Sequence, residues 1–210
     1  MKRLLAIIIA AYSLVGSISA AETSDNVVYK DDHVRFTLIS PRSMRLEYSP
    51  DGKFIDGKTL LAVDRDYAPV ACKVRTGGQF VEIRTDLITV RYRKGSGAFS
   101  PENLSIQSSK ANPFGFIWRP EMTQKENLKG TRHAYDAVKG RTVMYGKDEG
   151  MNVDLEDGIL ARDGWTLIDD SKGPVFIKGD DCQGHPITKE WIERRPDNGS
   201  QDWYFLSVKK

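Results

Sequence analysis

Few groups of side chains in this sequence have the types and spacing that chemistry needs. Asp169-Asp170 and Asp180-Asp181 are paired carboxylates, and His33, His133 and His185 are the three histidines. Cys72 and Cys182 are the two thiols, and Arg162-Asp163-Gly164-Trp165 sets a guanidinium, a carboxylate and an indole within four residues. Two carboxylates working on one bond must face it together. Neighbours on a strand point to opposite faces, so adjacent aspartates read as solvated turn residues. The histidines are scattered and no Cys-x-x-Cys pair exists, which leaves no ligand set for zinc, iron, copper or haem. Asn152-x-Asp154-x-Glu156 has the spacing of a calcium loop, but Asp157 stands where such a loop requires glycine. There is no Gly-x-Ser-x-Gly elbow, and Gly95-Ser96-Gly97 lacks its spacing. Phosphate-cradling glycine loops are missing too. No catalytic residue, metal site or cofactor is therefore expected. What remains is the Arg162–Trp165 group. A carboxylate that accepts hydroxyl bonds, beside an aromatic face, suits a hydroxyl-rich ligand. The competing role is structural: Asp-Gly makes a turn, Arg162 pairs with Asp163, and Trp165 packs into a core.

The elements that would carry these groups read as strands and turns. His33-Val34-Arg35-Phe36-Thr37-Leu38-Ile39 alternates polar and apolar, and Met44-Arg45-Leu46-Glu47-Tyr48 repeats the pattern. Runs at 70–74, 80–84 and 87–93 follow, with Ile88, Val90 and Tyr92 on one face of the last. Thr76-Gly77-Gly78-Gln79 is a tight hairpin signal. No stretch from Val27 onward carries a helical apolar stripe with start and stop signals. Short strands divided by Gly, Pro, Asn and Asp predict one continuous all-β domain, an antiparallel sandwich or barrel, with long edge loops between 113 and 150.

The first 21 residues read as an export signal. Lys2 and Arg3 precede an apolar run at 4–15, then small residues up to Ala21, where cleavage is expected. The run is shorter than the roughly 20 residues of a spanning helix. Residues 22–210 would then be a secreted or periplasmic β domain with no membrane attachment. Loss of Lys2 and Arg3 leaves 29 basic against 29 acidic residues. A balanced chain lacks the basic excess of a nucleic-acid binder, so no nucleic-acid partner is expected. Cys72 and Cys182 are expected to be independent small residues rather than a bridge.

Asn127-Leu128-Lys129-Gly130-Thr131, the run from Leu155 to Ser171, and Asp202-Trp203-Tyr204-Phe205-Leu206 are three segments that together resemble glycoside hydrolase family 31, the α-glucosidases and α-xylosidases. Asn127-Leu128-Lys129-Gly130-Thr131 with Asp136 is similar to a family Asn-Leu-x-Gly-Thr run, although His133 and Tyr135 stand where the family has Arg and Leu. The run from Leu155 through Arg162-Asp163-Gly164-Trp165 to Asp169-Asp170-Ser171 resembles the family's Ser-Arg-Asp-Gly-Trp and Asp-Asp-Ser segment. Asp202-Trp203-Tyr204-Phe205-Leu206 is similar to the segment leading out of its N-terminal domain, and Phe99-Ser100-Pro101 with Asn103-Leu104 also fits. The resemblance implies a galactose-mutarotase-like β-sandwich that ends before the family's catalytic (β/α)8 barrel. It also implies an α-linked glycoside as carbohydrate partner, the barrel as protein partner, and Arg162, Asp163 and Trp165 on or beside a loop that reaches the sugar. Retaining glycosidases need two carboxylates about 5 Å apart. The family's motifs for them, resembling Trp-x-Asp-Met-Asn-Glu and Trp-x-Gly-Asp, do not occur here. This chain alone is expected to be inactive. The C-terminal aromatics Trp203, Tyr204 and Phe205 are expected to pack against the barrel. Rival readings are a stand-alone carbohydrate-binding module, which needs exposed coplanar rings, and a sugar mutarotase, which needs a His facing a Glu.

Overall fold

The computed structural model describes residues 26–109, 115–130, 157–178 and 190–207. The signal-like segment lies outside them. So do Thr131, His133, Tyr135, Asp136, residues 152–156, Asp180, Asp181, Cys182 and His185.

The described residues form strands and no helix: β1 (Val27–Lys30), β2 (Val34–Ser40), β3 (Ser43–Tyr48), β4 (Lys73–Gly77), β5 (Phe80–Arg84), β6 (Ile88–Arg93), β7 (Leu104–Ser108), β8 (Ile117–Trp118), β9 (Trp165–Asp169), β10 (Val175–Lys178), β11 (Glu190–Glu193) and β12 (Gln201–Ser207). Two five-stranded antiparallel sheets result, ordered β1-β2-β3-β12-β9 and β4-β5-β6-β7-β8. A separate antiparallel pair joins β10 to β11. The chain is an all-β sandwich, as the alternating runs predict.

Period-two alternation decides what each sheet buries. On the first sheet Val34, Phe36 and Leu38 stand opposite Tyr48, Leu46 and Met44, and Leu46 and Met44 in turn face Trp203 and Phe205. On the second, Val81 and Ile83 face Tyr92 and Val90, followed by Leu104 and Ile106. These two inner faces merge into one core. Aromatic rings fill its centre: Trp118 lies 5.2 Å from Phe205, and Phe36 meets Tyr92 edge-on at 5.5 Å. The Gly78-Gln79 turn joins β4 to β5 with Gly77 opposite Phe80. Gly78 takes φ +53 there, a left-handed conformation that glycine adopts without penalty.

One expectation is corrected. Phe205 and Tyr204 do not wait for another domain: Phe205 is in the sandwich core, Tyr204 is buried on the sheet's other side, and Trp203 packs on the core's rim. The sheet's inner face takes Phe205 and Trp203, and the segment at 61–67 lies beside Tyr204 on the outer face. The polar-phase residues of β3 and β12 are not solvated either, because residues 53–68 lie across that outer face. The Ile55 carbonyl accepts from both Arg45 Nη2 at 3.0 Å and Arg65 Nη1 at 2.6 Å, and Phe54 stacks on Arg35. Asn26 ties down the far end, its amide donating to the Ala68 carbonyl at 2.7 Å.

Candidate functional site

Segments 124–130 and 157–165, which carry two of the family-like motifs, meet in one corner. Asn127 and Ala161 form a bridge, and the Leu128 N–H donates to the Leu160 carbonyl at 2.9 Å. The Asn127 side chain extends this pairing as a surrogate backbone. Its Nδ2 donates to the Gly158 carbonyl at 2.9 Å, and its Oδ1 accepts from the N–H groups of Gly158 at 2.9 Å and Lys129 at 2.7 Å. The approach is so close that a Cβ on Gly158 would stand 2.6 Å from the Lys129 carbonyl oxygen. Only glycine fits.

Within this corner the predicted site residues take different places. Arg162 is exposed, and among the described residues its guanidinium makes neither a hydrogen bond nor an ion pair, so it does not pair with Asp163. The Asp163 carboxylate accepts from the backbone N–H groups of Lys125 at 3.2 Å and Glu126 at 2.8 Å, fixing the neighbouring loop. Gly164, at φ +84, turns the chain into β9. Trp165 is buried, its ring 6.1 Å from Trp118, while its carbonyl accepts from Gln124 Nε2 at 2.5 Å. The turn therefore presents Arg162 outward and commits Asp163 and Trp165 to its own construction. Leu128, Ile159 and Leu160 beside it are each more than half exposed.

A second constellation was not foreseen. On the outer face of the first sheet three arginines and three carboxylates interlock. Arg35 grips Glu47 through Nε at 2.7 Å and Nη2 at 2.8 Å. Arg45 reaches the same Glu47 at 3.0 Å and holds Asp202 through two bonds of 2.7 Å. Arg195 then bridges Asp202 at 2.8 Å and Asp170 at 3.0 Å. Asp170, expected in solvent, is buried, while its neighbour Asp169 is exposed. Opposite orientation of adjacent strand-end residues separates the two, and the 53–68 cover and Arg195 decide which is enclosed. Gly173 folds tightly over Asp170, where any Cβ would overlap the carboxylate.

Electrostatics follow burial and pairing. Burial alone would raise the Asp202 carboxyl, but the hydrogen bonds and charges of Arg45 and Arg195 outweigh it and hold Asp202 below the usual range. At Asp170 burial dominates and pushes the carboxyl up. A cleft of about 300 Å³ opens beside this lattice, lined by Glu47, Tyr48, Phe54, Arg195, Asn198 and Asp202 among others. Glu47 and Asp202 are already committed to guanidinium groups, so neither is free as a general base. His33 is occupied as well, its Nδ1 3.0 Å from the Ser49 carbonyl oxygen. Among the described residues no cluster of three or more His, Cys, Asp or Glu side chains is placed to hold a metal ion. Cys72 is a free thiol, and burial raises its pKa.

A scan against protein-family models finds no match, and a search of curated proteins finds none either.

Proposed function

We propose that this chain is the non-catalytic, galactose-mutarotase-like β-sandwich of a secreted α-glycosidase similar to glycoside hydrolase family 31. In this reading it braces a catalytic barrel and sets the corner at 157–165 beside the mouth of the sugar site. One observation supports this above the others. Two motif segments separated in sequence are knit into a single corner by hydrogen bonds, and Arg162 stands there with no side-chain partner among the described residues, beside exposed Leu128, Ile159 and Leu160. Clustered exposed apolar side chains mark a contact surface. Arg162 is then the group that faces a sugar hydroxyl or the barrel, and Asp163 holds the turn that presents it. The rival binding-module reading needs an open aromatic platform, whereas Trp118, Trp165 and Phe205 are all buried.

The test has two arms. The purified mature chain is expected not to hydrolyse nitrophenyl α-glucoside or α-xyloside, and turnover that survives repurification would overturn the proposal. The same chain is expected to bind a dye that reports exposed apolar surface, and Leu128→Gln with Leu160→Gln should abolish most of that signal. No dye binding by the parent chain would remove the support for a contact surface.

A further inference from the structure

The outer face of the second sheet is charged in a way that the chain's near-neutral balance hides. Its outward positions on β4, β5 and β6 are Lys73, Arg75, Phe80, Glu82, Arg84, Thr89, Arg91 and Arg93, as the register with inward Val81, Ile83, Val90 and Tyr92 requires. Five cations thus share one face with a single carboxylate, in a chain whose formal charge is only +2. All five are exposed, and none belongs to an ion pair among the described residues. Glu82 stands between Arg75 and Arg91, while Lys73 stands directly opposite Arg84. Like charges directly opposed across a strand pair destabilise a sheet. At the rim, Asp86 shares a small cleft with Lys73 and Arg84, and Glu102 lies within the field of Arg93 and Arg119.

We infer that this face binds an anionic polysaccharide carrying carboxylates along its length. Four of the five cations are arginines, whose planar fork matches a carboxylate with two parallel bonds. The broad face of a five-stranded sheet can follow an extended chain but does not enter a duplex groove. Nor does it offer a free ring for base stacking, because Phe80 is capped by the Arg91 guanidinium at 4.0 Å. Ile117, at the far edge, is the one exposed large apolar side chain on this face among the described residues, too little to anchor in a bilayer. The site is separate from the corner at 157–165, and its failure would leave the barrel-bracing proposal untouched.

The probe is polygalacturonate, with neutral dextran, single-stranded DNA and phosphatidylserine vesicles as comparators, and the full chain is titrated by calorimetry at low and high salt. Binding to polygalacturonate that weakens with salt is expected, with none to dextran. Lys73→Glu should weaken binding about tenfold, because it removes one cation and adds a repelling charge. The same change sets opposite charges across β4 and β5, so its thermal midpoint should hold or rise, which separates lost binding from lost folding. Absence of binding, an unchanged affinity in Lys73→Glu, or tighter binding to DNA or vesicles would overturn the inference.

Discussion

Replacing Asp202 by Asn should unfold this protein more readily than any other single carboxylate change in the first sheet. The Asp202 carboxylate accepts from Arg45 Nε and Nη2 at 2.7 Å each and from Arg195 Nη1 at 2.8 Å. All three side chains are at most 6% exposed, so water does not screen the arrangement. Asparagine keeps the shape but loses the charge, and it turns an amide donor toward one of two buried cations. Breaking a buried pair on one side costs about 3–5 kcal/mol, because the remaining charge is left uncompensated. For a chain of this size the thermal midpoint should fall by roughly 6–20 °C. Urea unfolding followed by tryptophan fluorescence measures the loss, with exposed Glu193→Gln as a control expected within about 0.5 kcal/mol of the parent. Acid adds a second reading. Asp202 is held below its ordinary value, so its contribution is present above the unfolded pKa of about 3.9 and is lost as pH falls through the lower folded value. The gap between parent and Asp202→Asn should therefore close on acidification. A loss below about 1 kcal/mol at neutral pH would refute the reasoning and make the lattice a near-neutral replacement for apolar packing.

Gly158→Ala should strain the corner at 157–165, since its Cβ would lie 2.6 Å from the Lys129 carbonyl oxygen. A loss of about 1–3 kcal/mol is expected, with faster amide exchange at Leu128 and Arg162, and an unchanged exchange pattern would show that the loops are not joined there. At high pH buried Tyr204 and half-buried Tyr29 should titrate late. Burial pushes Tyr204 up to about 12, and partial burial followed by its bond to Asp31 raises Tyr29 as well. Folded-state values raised above the ordinary value of about 10 mean that their contribution is whole below about pH 10 and is lost as pH rises through the raised folded values. Near-ultraviolet absorbance should show delayed tyrosinate formation coincident with unfolding, and early titration of all the tyrosines would contradict their burial.

Much of the sandwich is legible in single strands. Alternation in Met44-Arg45-Leu46-Glu47-Tyr48 announces which side chains face the core, because a strand repeats every two residues wherever it sits. The Gly77-Gly78 step announces a hairpin, since only a left-handed residue closes so tight a turn. Asp-Gly at 163–164 likewise announces a turn, and that turn forms. What the strand pattern could not carry is the fate of the opposite phase. Arg45 and Glu47 read as solvent-facing, yet residues 53–68 cover them and Asp202 arrives from 157 residues away to pair Arg45. Burial of a charged residue depends on which distant partner neutralises it, and no local period encodes that. The same holds for Trp165, Asp163 and Arg162: their types suggested a ligand site, and their neighbours set their work. Trp118 draws the indole inward, the Lys125 and Glu126 amides engage the carboxylate, and only the arginine is left outside. Local sequence determines strand phase and turns through backbone sterics. Tertiary structure alone decides which polar groups are enclosed, because enclosure is a property of contacts between segments.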